Sequence, residues 1–483
     1  MIFTSAVFLG RFLPAILLID WGAESAGLRR LRWLALLLAS LFFYAWWRLD
    51  HLAVLLASIA FNYWMGHAIE AAPGPARRVL LTLGVAANLL LLGAFKYTGF
   101  LAANALSLLR IEGFQLPEMA LPLGISFFTF TQIAYLADCA RGQRGRHGPI
   151  EYALFVTFFP HLLAGPIIHH SEMIPQFQTG RRPLGVAAQD LAVGLALLAI
   201  GAAKKLVLAD NLALIADAVF GMAADGEAPK PKQVWHGALA YTFQLYFDFS
   251  GYSDMAVGLA RIFGVRFPPN FDSPYRAIDL VEFWRRWHMT LSRWLRDYLY
   301  IPLGGNRGGP LARYRNLFVT MLLGGLWHGA AWTFVIWGAL HGLGLIVSHL
   351  VRSHLGPLAP RGRAGRLLLV LVCWLLTFVF VTTTWVFFRA TSFDAAWQMI
   401  GAMYGAGAAD PPRAPLSDNA QDLILAALAI AVLAPNSNAI ARALENPGRA
   451  GLAAGALAGA AALAAIATGL TAPNASPFLY FNF

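Results

Sequence analysis

The sequence predicts an all-α, polytopic integral membrane protein, and three observations carry that prediction. Hydrophobic residues make up 58% of the 483 positions and charged residues only 13%. Soluble domains carry roughly 25% charge, so a soluble globule could not cover itself with this composition. The apolar residues fall in runs of about 20, the length at which a helix crosses a bilayer, with no short period that would mark collagen or low-complexity disorder. The net charge of +11 is almost all arginine and gathers in loops, which suits cytoplasmic loops and anionic lipid headgroups rather than nucleic acid. Two cysteines, Cys139 and Cys373, supply neither a disulfide framework nor a zinc cluster.

Taken in order, the apolar stretches lie near 1–21, 33–47, 52–70, 79–97, 121–139, 150–168, 186–208, 317–350, 367–388, 422–434 and 450–470. The 317–350 stretch has room for two elements, and 211–263 holds shorter ones around 241–249 and 255–263. The length rule predicts about 11 or more membrane-embedded helices, several broken or re-entrant. Arg11 interrupts the first stretch and no basic region precedes it, so it reads as a retained helix rather than a cleaved signal. Arg29, Arg30 and Arg32 follow the first stretch, Arg77 and Arg78 the third, and Arg141, Arg144 and Arg146 the fifth, while the loops between them carry little charge. The positive-inside rule makes those three loops cytoplasmic and puts the amino terminus outside. Beyond residue 150, proline and histidine in mid-stretch obscure the pattern. The Ala/Gly-rich 450–470 stretch reads as a packing helix.

Polar groups are costly in a membrane chain, so their clustering points to function. Asp248, Ser250 and Asp254 lie beside aromatic residues, and Asn270 and Asp272 follow. In the run from 282 to 300, Phe283, Trp287, Leu291, Trp294 and Tyr298 recur at intervals of three and four and make one aromatic face. Arg285, Arg286, Arg293 and Arg296 lie off it, as in an amphipathic helix at the membrane interface. His288 sits on the polar side, able to turn toward a cavity. His328 lies inside an apolar span, flanked by Trp327 and by glycines that allow close approach. His341 follows; on a continuous helix, at about 100° per residue, it would be turned about 220° from His328. His161, His169, His170 and Glu172 offer imidazole and carboxylate but no HExxH spacing, and Pro166 breaks their register, so no metal site is expected. Phosphate-binding glycine loops and a nucleophile elbow are also missing.

At these residues the chain resembles the membrane-bound O-acyltransferase family, and within it the bacterial membrane proteins of alginate O-acetylation. The stretches LPLGISFFTFTQIAYLAD (121–138), FVTFFPHLLAGPIIHHSEMIPQF (155–177) and QLYFDFSGYSDMAVGLARIFG (244–264) carry the likeness. So do NFDSPYRAIDLVEFWRRWHMTLSRWLRDYLYIPLGGN (270–306), GGLWHGAAWTFVIWGALHG (324–342), WVFFRA (385–390) and SPFLYF (476–481). The resemblance implies one transmembrane domain over 1–483, with a catalytic core near 121–350 around a central polar cavity or tunnel. It implies catalytic roles for His328 and His288, and transfer of an acetyl group from a cytoplasmic donor, acetyl-CoA, toward a periplasmic exopolysaccharide. Periplasmic acetylation proteins are the implied partners, the bacterial inner membrane the implied location, and no cofactor is held permanently.

The residue chemistry agrees. Acyl transfer needs a base for the attacking hydroxyl and a group that stabilises the oxyanion; a buried imidazole stays neutral and so basic. His328 suits the base, and His288 could bond the donor carbonyl or orient His328. Arg285, Arg286, Arg293 and Arg296 could hold donor phosphates, with Asp248, Ser250, Asp254, Trp327 and His341 lining the cavity. Transfer to cellulose, teichoic acid or lipid is the alternative enzyme, and a channel for donor or glycan the non-enzyme one.

Overall fold

A chain with so few charges must satisfy its backbone polar groups internally, and helices do this within one segment. The computed structural model describes residues 1–111, 119–143, 145, 147–179, 182–227, 229–354, 362–405, 419–446, 448–471 and 478–479, and the regular structure among them is helical, with no strand. The first four helices, α1 (Leu13–Ser25), α2 (Arg29–Ala45), α3 (Leu49–Ala71) and α4 (Gly74–Lys96), match the first four apolar stretches. After α5 (Thr98–Leu109) comes α6 (Ile125–Ala140), buried on nearly every side. The 150–168 stretch is not one helix. α7 (Pro149–Thr157) ends before Pro160, and buried turns and extended chain lead to α8 (His170–Phe177), because residues preceding proline disfavour helix.

α9 (Leu184–Ala203) passes through a π-helical turn at Lys204–Ala209 into α10 (Asp210–Ala224). α11 (Pro231–Ile262) is a single 32-residue helix where the sequence suggested two short ones. Its charged side chains are paired: Asp248 with Lys205 (2.8 Å) and Arg261 with Asp190 (3.1 Å), all buried, and Asp254 with Lys204 (2.7 Å), both half-buried. Buried charge persists when paired in this way. α9 and α11 approach closely where Gly201 faces Gly251 and Gly194 faces Gly258, and a Cβ at any of the four would run into the facing backbone. Two short helices, α12 (Leu280–Arg286) and α13 (Met289–Leu295), precede the long α14 (Gly309–His328) and α15 (Trp332–His354). The chain continues as α16 (Arg363–Arg389), α17 (Phe393–Met403), α18 (Ala420–Leu433), α19 (Ser437–Glu445) and α20 (Arg449–Thr471).

Among the described residues six helical stretches are long and apolar enough to cross a membrane, or seven if the α18–α19 pair, bent by 50°, is one span. These long spans account for part of the expected 11 or more membrane-embedded elements, which also include broken and re-entrant ones. α6, of 16 residues, and α7, of 9, fall short of a full span. Of the arginine loops, Arg29 donates to the Gln178 carbonyl just after α8 (3.2 Å), and Arg141 donates to the Asp297 carbonyl (3.2 Å). Glu172 of α8 in turn holds Arg293 at 2.6 Å. Basic residues from three parts of the chain therefore gather in one region. Arg144 and Arg146 lie outside the described residues, as does all of the 476–481 motif except Phe478 and Leu479; Phe478 is buried against Tyr252.

Candidate active site

The aromatic run from 282 to 300 is not one helix. α12 ends at Arg286, and His288 takes a left-handed conformation (φ +42°) before α13 begins, an uncommon backbone state for a residue other than glycine that needs bracing from its surroundings. Asn270 braces it. Its carbonyl accepts the Met289 N–H (2.9 Å), and its side-chain Oδ1 accepts from the Thr290 N–H (3.3 Å) and from Thr290 Oγ1 (2.9 Å). The same Oδ1 lies 3.1 Å from His288 Nδ1. His288 is fully buried, with the Phe249 ring edge-on at 4.7 Å. The aromatic face is buried against protein: Trp294 stacks on Phe130 at 3.7 Å and donates to its carbonyl (2.9 Å), and Trp287 packs on Trp385.

His328 is the last residue of α14, and Gly329 leaves the helix in extended conformation. Two side chains from the end of α4 hold that terminus. Lys96 Nζ donates to the carbonyls of Trp327 (2.6 Å) and His328 (3.2 Å), and Tyr97 Oη donates to that of Leu326 (2.8 Å). These are carbonyls that a helix end leaves unpaired, and a cation there also suits the helix dipole. The buried His328 ring packs edge-on against Trp337 and Phe388, both at 5.2 Å. Trp327 links the two histidines, its ring centre 4.9 Å from that of His328 and 6.5 Å from that of His288. The glycines of the motif act in packing: Gly325 of α14 touches Gly338 of α15, and a Cβ at Gly338 would come within 2.5 Å of the Met321 carbonyl.

His341 does not stand where the rotation argument put it. The chain breaks at 329–331, so His328 and His341 belong to two packed helices, and both contact Trp337. His341 is bonded at both nitrogens: Trp284 Nε1 donates to Nδ1 (3.2 Å), and Nε2 lies 3.0 Å from Thr384 Oγ1, which itself donates to the Val381 carbonyl. His288, Lys96 and His341 all lie within electrostatic reach of His328.

A cavity of about 700 Å³ opens beside this cluster. Arg285, Arg293, Arg296, Arg313, His349 and Trp284 line it, and Met289 and Thr290, next in sequence to His288, also line it. Arg286 turns away to Glu282 (2.7 Å). From Arg313 to His328 the path along α14 is roughly 22 Å at about 1.5 Å per residue. Asp248, Ser250 and Asp254 do not join the histidines; they bind Lys205 and Lys204 and tie α11 to the α9–α10 turn. His161 and His170 are spent on the Phe155 and Gln143 carbonyls, and His169 meets Tyr298 Oη at 3.0 Å.

The arrangement is two buried imidazoles joined by a tryptophan, beside a cavity rimmed with arginine. The family model described as MBOAT, the membrane-bound O-acyltransferase family, matches residues 30–388 and so spans both histidines. The chain belongs to the membrane-bound O-acyltransferase family. It is 41% identical over the whole of both chains to a probable alginate O-acetylase AlgI of Azotobacter vinelandii. A protein of the same name from Pseudomonas syringae pv. tomato is 44% identical over 84% of this chain and 76% of its own. A peptidoglycan O-acetyltransferase of Helicobacter pylori is also 44% identical, over 77% of this chain and 73% of its own.

As a member of that family the protein is a membrane-bound O-acyltransferase, which decides between the enzyme and channel readings. Six residues of the candidate site have no role assigned from the sequence: Asn270, Thr290, Lys96, Tyr97, Arg313 and His349. Asn270 opens the NFDSPYR motif and was visible as a polar residue in an apolar chain. Lys96 had a weaker signal, one of only five lysines and the end of an apolar stretch.

Proposed function

We propose that this enzyme moves an acetyl group from a cytoplasmic donor, acetyl-CoA, toward a hydroxyl of a periplasmic, alginate-like exopolysaccharide in the bacterial inner membrane, working with periplasmic acetylation proteins. The observation that carries the reading is the arginine-rimmed cavity, which shares a region with Arg29 and Arg141 and reaches the neighbours of His288. Arginine-rich loops are retained on the cytoplasmic side, and guanidinium groups suit the phosphates of such a donor. In the reaction the acceptor oxygen attacks the thioester carbonyl carbon, His328 takes the hydroxyl proton, the C–S bond breaks, and the proton passes to the departing sulfur. A hydroxyl on a periplasmic partner would serve as first acceptor by the same step.

The equal identity to a peptidoglycan O-acetyltransferase favours one second reading, transfer to peptidoglycan. Acetyl-ester content of both polymers, measured in a deletion strain with and without the gene, separates the two. The proposal expects esters to vanish from the exported polysaccharide while those of peptidoglycan stay unchanged, and the opposite pattern overturns it.

A further inference from the structure

The sequence left His288 two roles, bonding the donor carbonyl or orienting His328, and the hydrogen bonds around Asn270 distinguish them. A backbone N–H can only donate, so the bond from the Thr290 N–H fixes the acceptor atom of the Asn270 amide as Oδ1. The amide NH₂ then points to Ser253 Oγ, 3.2 Å away. Thr290 Oγ1 accepts from the Ile167 N–H (3.0 Å), so its own proton goes to Asn270 Oδ1. With Oδ1 established as an acceptor, His288 Nδ1, 3.1 Å from it, must carry the proton. Neutral imidazole has one N–H. Nε2 of neutral His288 therefore holds a lone pair.

We infer that Asn270 is a positioning residue that holds His288 as the Nδ1–H tautomer, so that His288 serves acyl transfer as an acceptor at Nε2, not as a donor to the acyl carbonyl. An imidazole held at Nδ1 by an oxygen acceptor presents its basic nitrogen to the reacting side, the logic by which a third residue fixes the histidine of a hydrolase triad. With His328 taking the hydroxyl proton, Nε2 accepts in turn the proton that His328 passes on, and the proton returns by the same path when the leaving group departs. The oxyanion must be stabilised by other groups. The same contacts explain why position 288 tolerates a left-handed backbone: Asn270 grips Met289 and Thr290 on its far side.

The inference rests on the reading that His288 belongs to the active site, and the variants separate the two. Membrane vesicles carrying each variant, supplied with acetyl-CoA, are assayed for CoA release across a pH series, with protein level checked by immunoblot. His288→Gln keeps an N–H donor near the Nε2 position but cannot take a proton. It should lose as much activity as His288→Ala, on the order of 10²-fold or more. Asn270→Ala should lose roughly 10- to 100-fold. Asn270→Asp keeps the acceptor and adds charge, so it should stay within about tenfold of wild type while the acid limb of its pH profile moves to higher pH, because a carboxylate favours the protonated imidazole. A His288→Gln enzyme retaining a tenth or more of the activity lost in His288→Ala would show that position 288 need not accept a proton, and would overturn the inference. An Asn270→Asp profile superimposable on wild type would also overturn it. A fully active His288→Ala enzyme would instead remove His288 from the site altogether.

Discussion

Replacing Lys96 with methionine tests whether His328 owes its position to the end of α4. Methionine matches the length of lysine without its charge or donors. In the wild type the ammonium bonds the Trp327 and His328 carbonyls at 2.6 and 3.2 Å and Ser126 Oγ at 3.1 Å. A buried carbonyl left without a partner costs about 1–3 kcal/mol. With two carbonyls orphaned, the variant loses on the order of 2–6 kcal/mol, concentrated in the last turn of α14. If water recovers half of that, about 1–3 kcal/mol remains, and at about 1.4 kcal/mol per tenfold the productive placement of His328 falls roughly 5- to 150-fold. Acetylation should fall by that factor while membrane abundance holds, because Tyr97 still grips the Leu326 carbonyl. Lys96→Arg, which keeps charge and donors, should lose less. The assay is acetyl-ester content of exported polysaccharide in a complemented deletion strain, with the protein quantified by immunoblot. Wild-type acetylation by a normally abundant Lys96→Met enzyme would refute the reasoning.

His341→Ala should lower abundance and thermal stability in detergent before it lowers turnover per molecule, because it leaves the buried Trp284 donor without its acceptor, at about 1–3 kcal/mol; normal stability with lost turnover would move His341 into the chemistry. Arg313→Ala and Arg285→Ala should raise the KM for acetyl-CoA in vesicles several-fold, and Arg286→Ala should not, since Arg286 pairs with Glu282 outside the cavity; equal effects would dissolve the donor assignment. Single cysteines at positions 30 and 77, in a background without Cys139 and Cys373, should resist an impermeant reagent in intact cells, because arginine-rich loops stay cytoplasmic.

The aromatic periodicity from Phe283 to Trp294 was legible, and each of those side chains is buried where the spacing put it. The break at His288 was not. No glycine or proline marks it; the left-handed turn is imposed from a distance by Asn270, and local sequence carries no trace of a tertiary contact. The separation of His328 from His341 was misjudged for a related reason, since Gly329-Ala330-Ala331 reads as mild helix yet ends α14 there. Hydropathy found the buried segments but could not distinguish a core helix such as α6 from a membrane span, because both are dominated by apolar residues and α6 buries its few polar ones. On α11 the error ran the other way. Asp248 and Asp254 looked like cavity groups, and only the fold shows that Lys204 and Lys205 meet them one helix away. The arginines off the aromatic face were legible as a set, but which of them share a cavity depends on where Glu282 and Glu172 lie.

On the proposed function His328 performs chemistry and is not merely core. His328→Ala leaves a small gap among Trp327, Trp337 and Phe388 and keeps both carbonyls that Lys96 holds, since those belong to the backbone. The decisive measurement is the acetyl-ester content of exported polysaccharide from a deletion strain carrying that variant, normalised to the variant's abundance in the membrane. Normal abundance with acetylation reduced on the order of 10²-fold or more is the expected result; full acetylation by a well-expressed His328→Ala enzyme would make His328 a packing residue only.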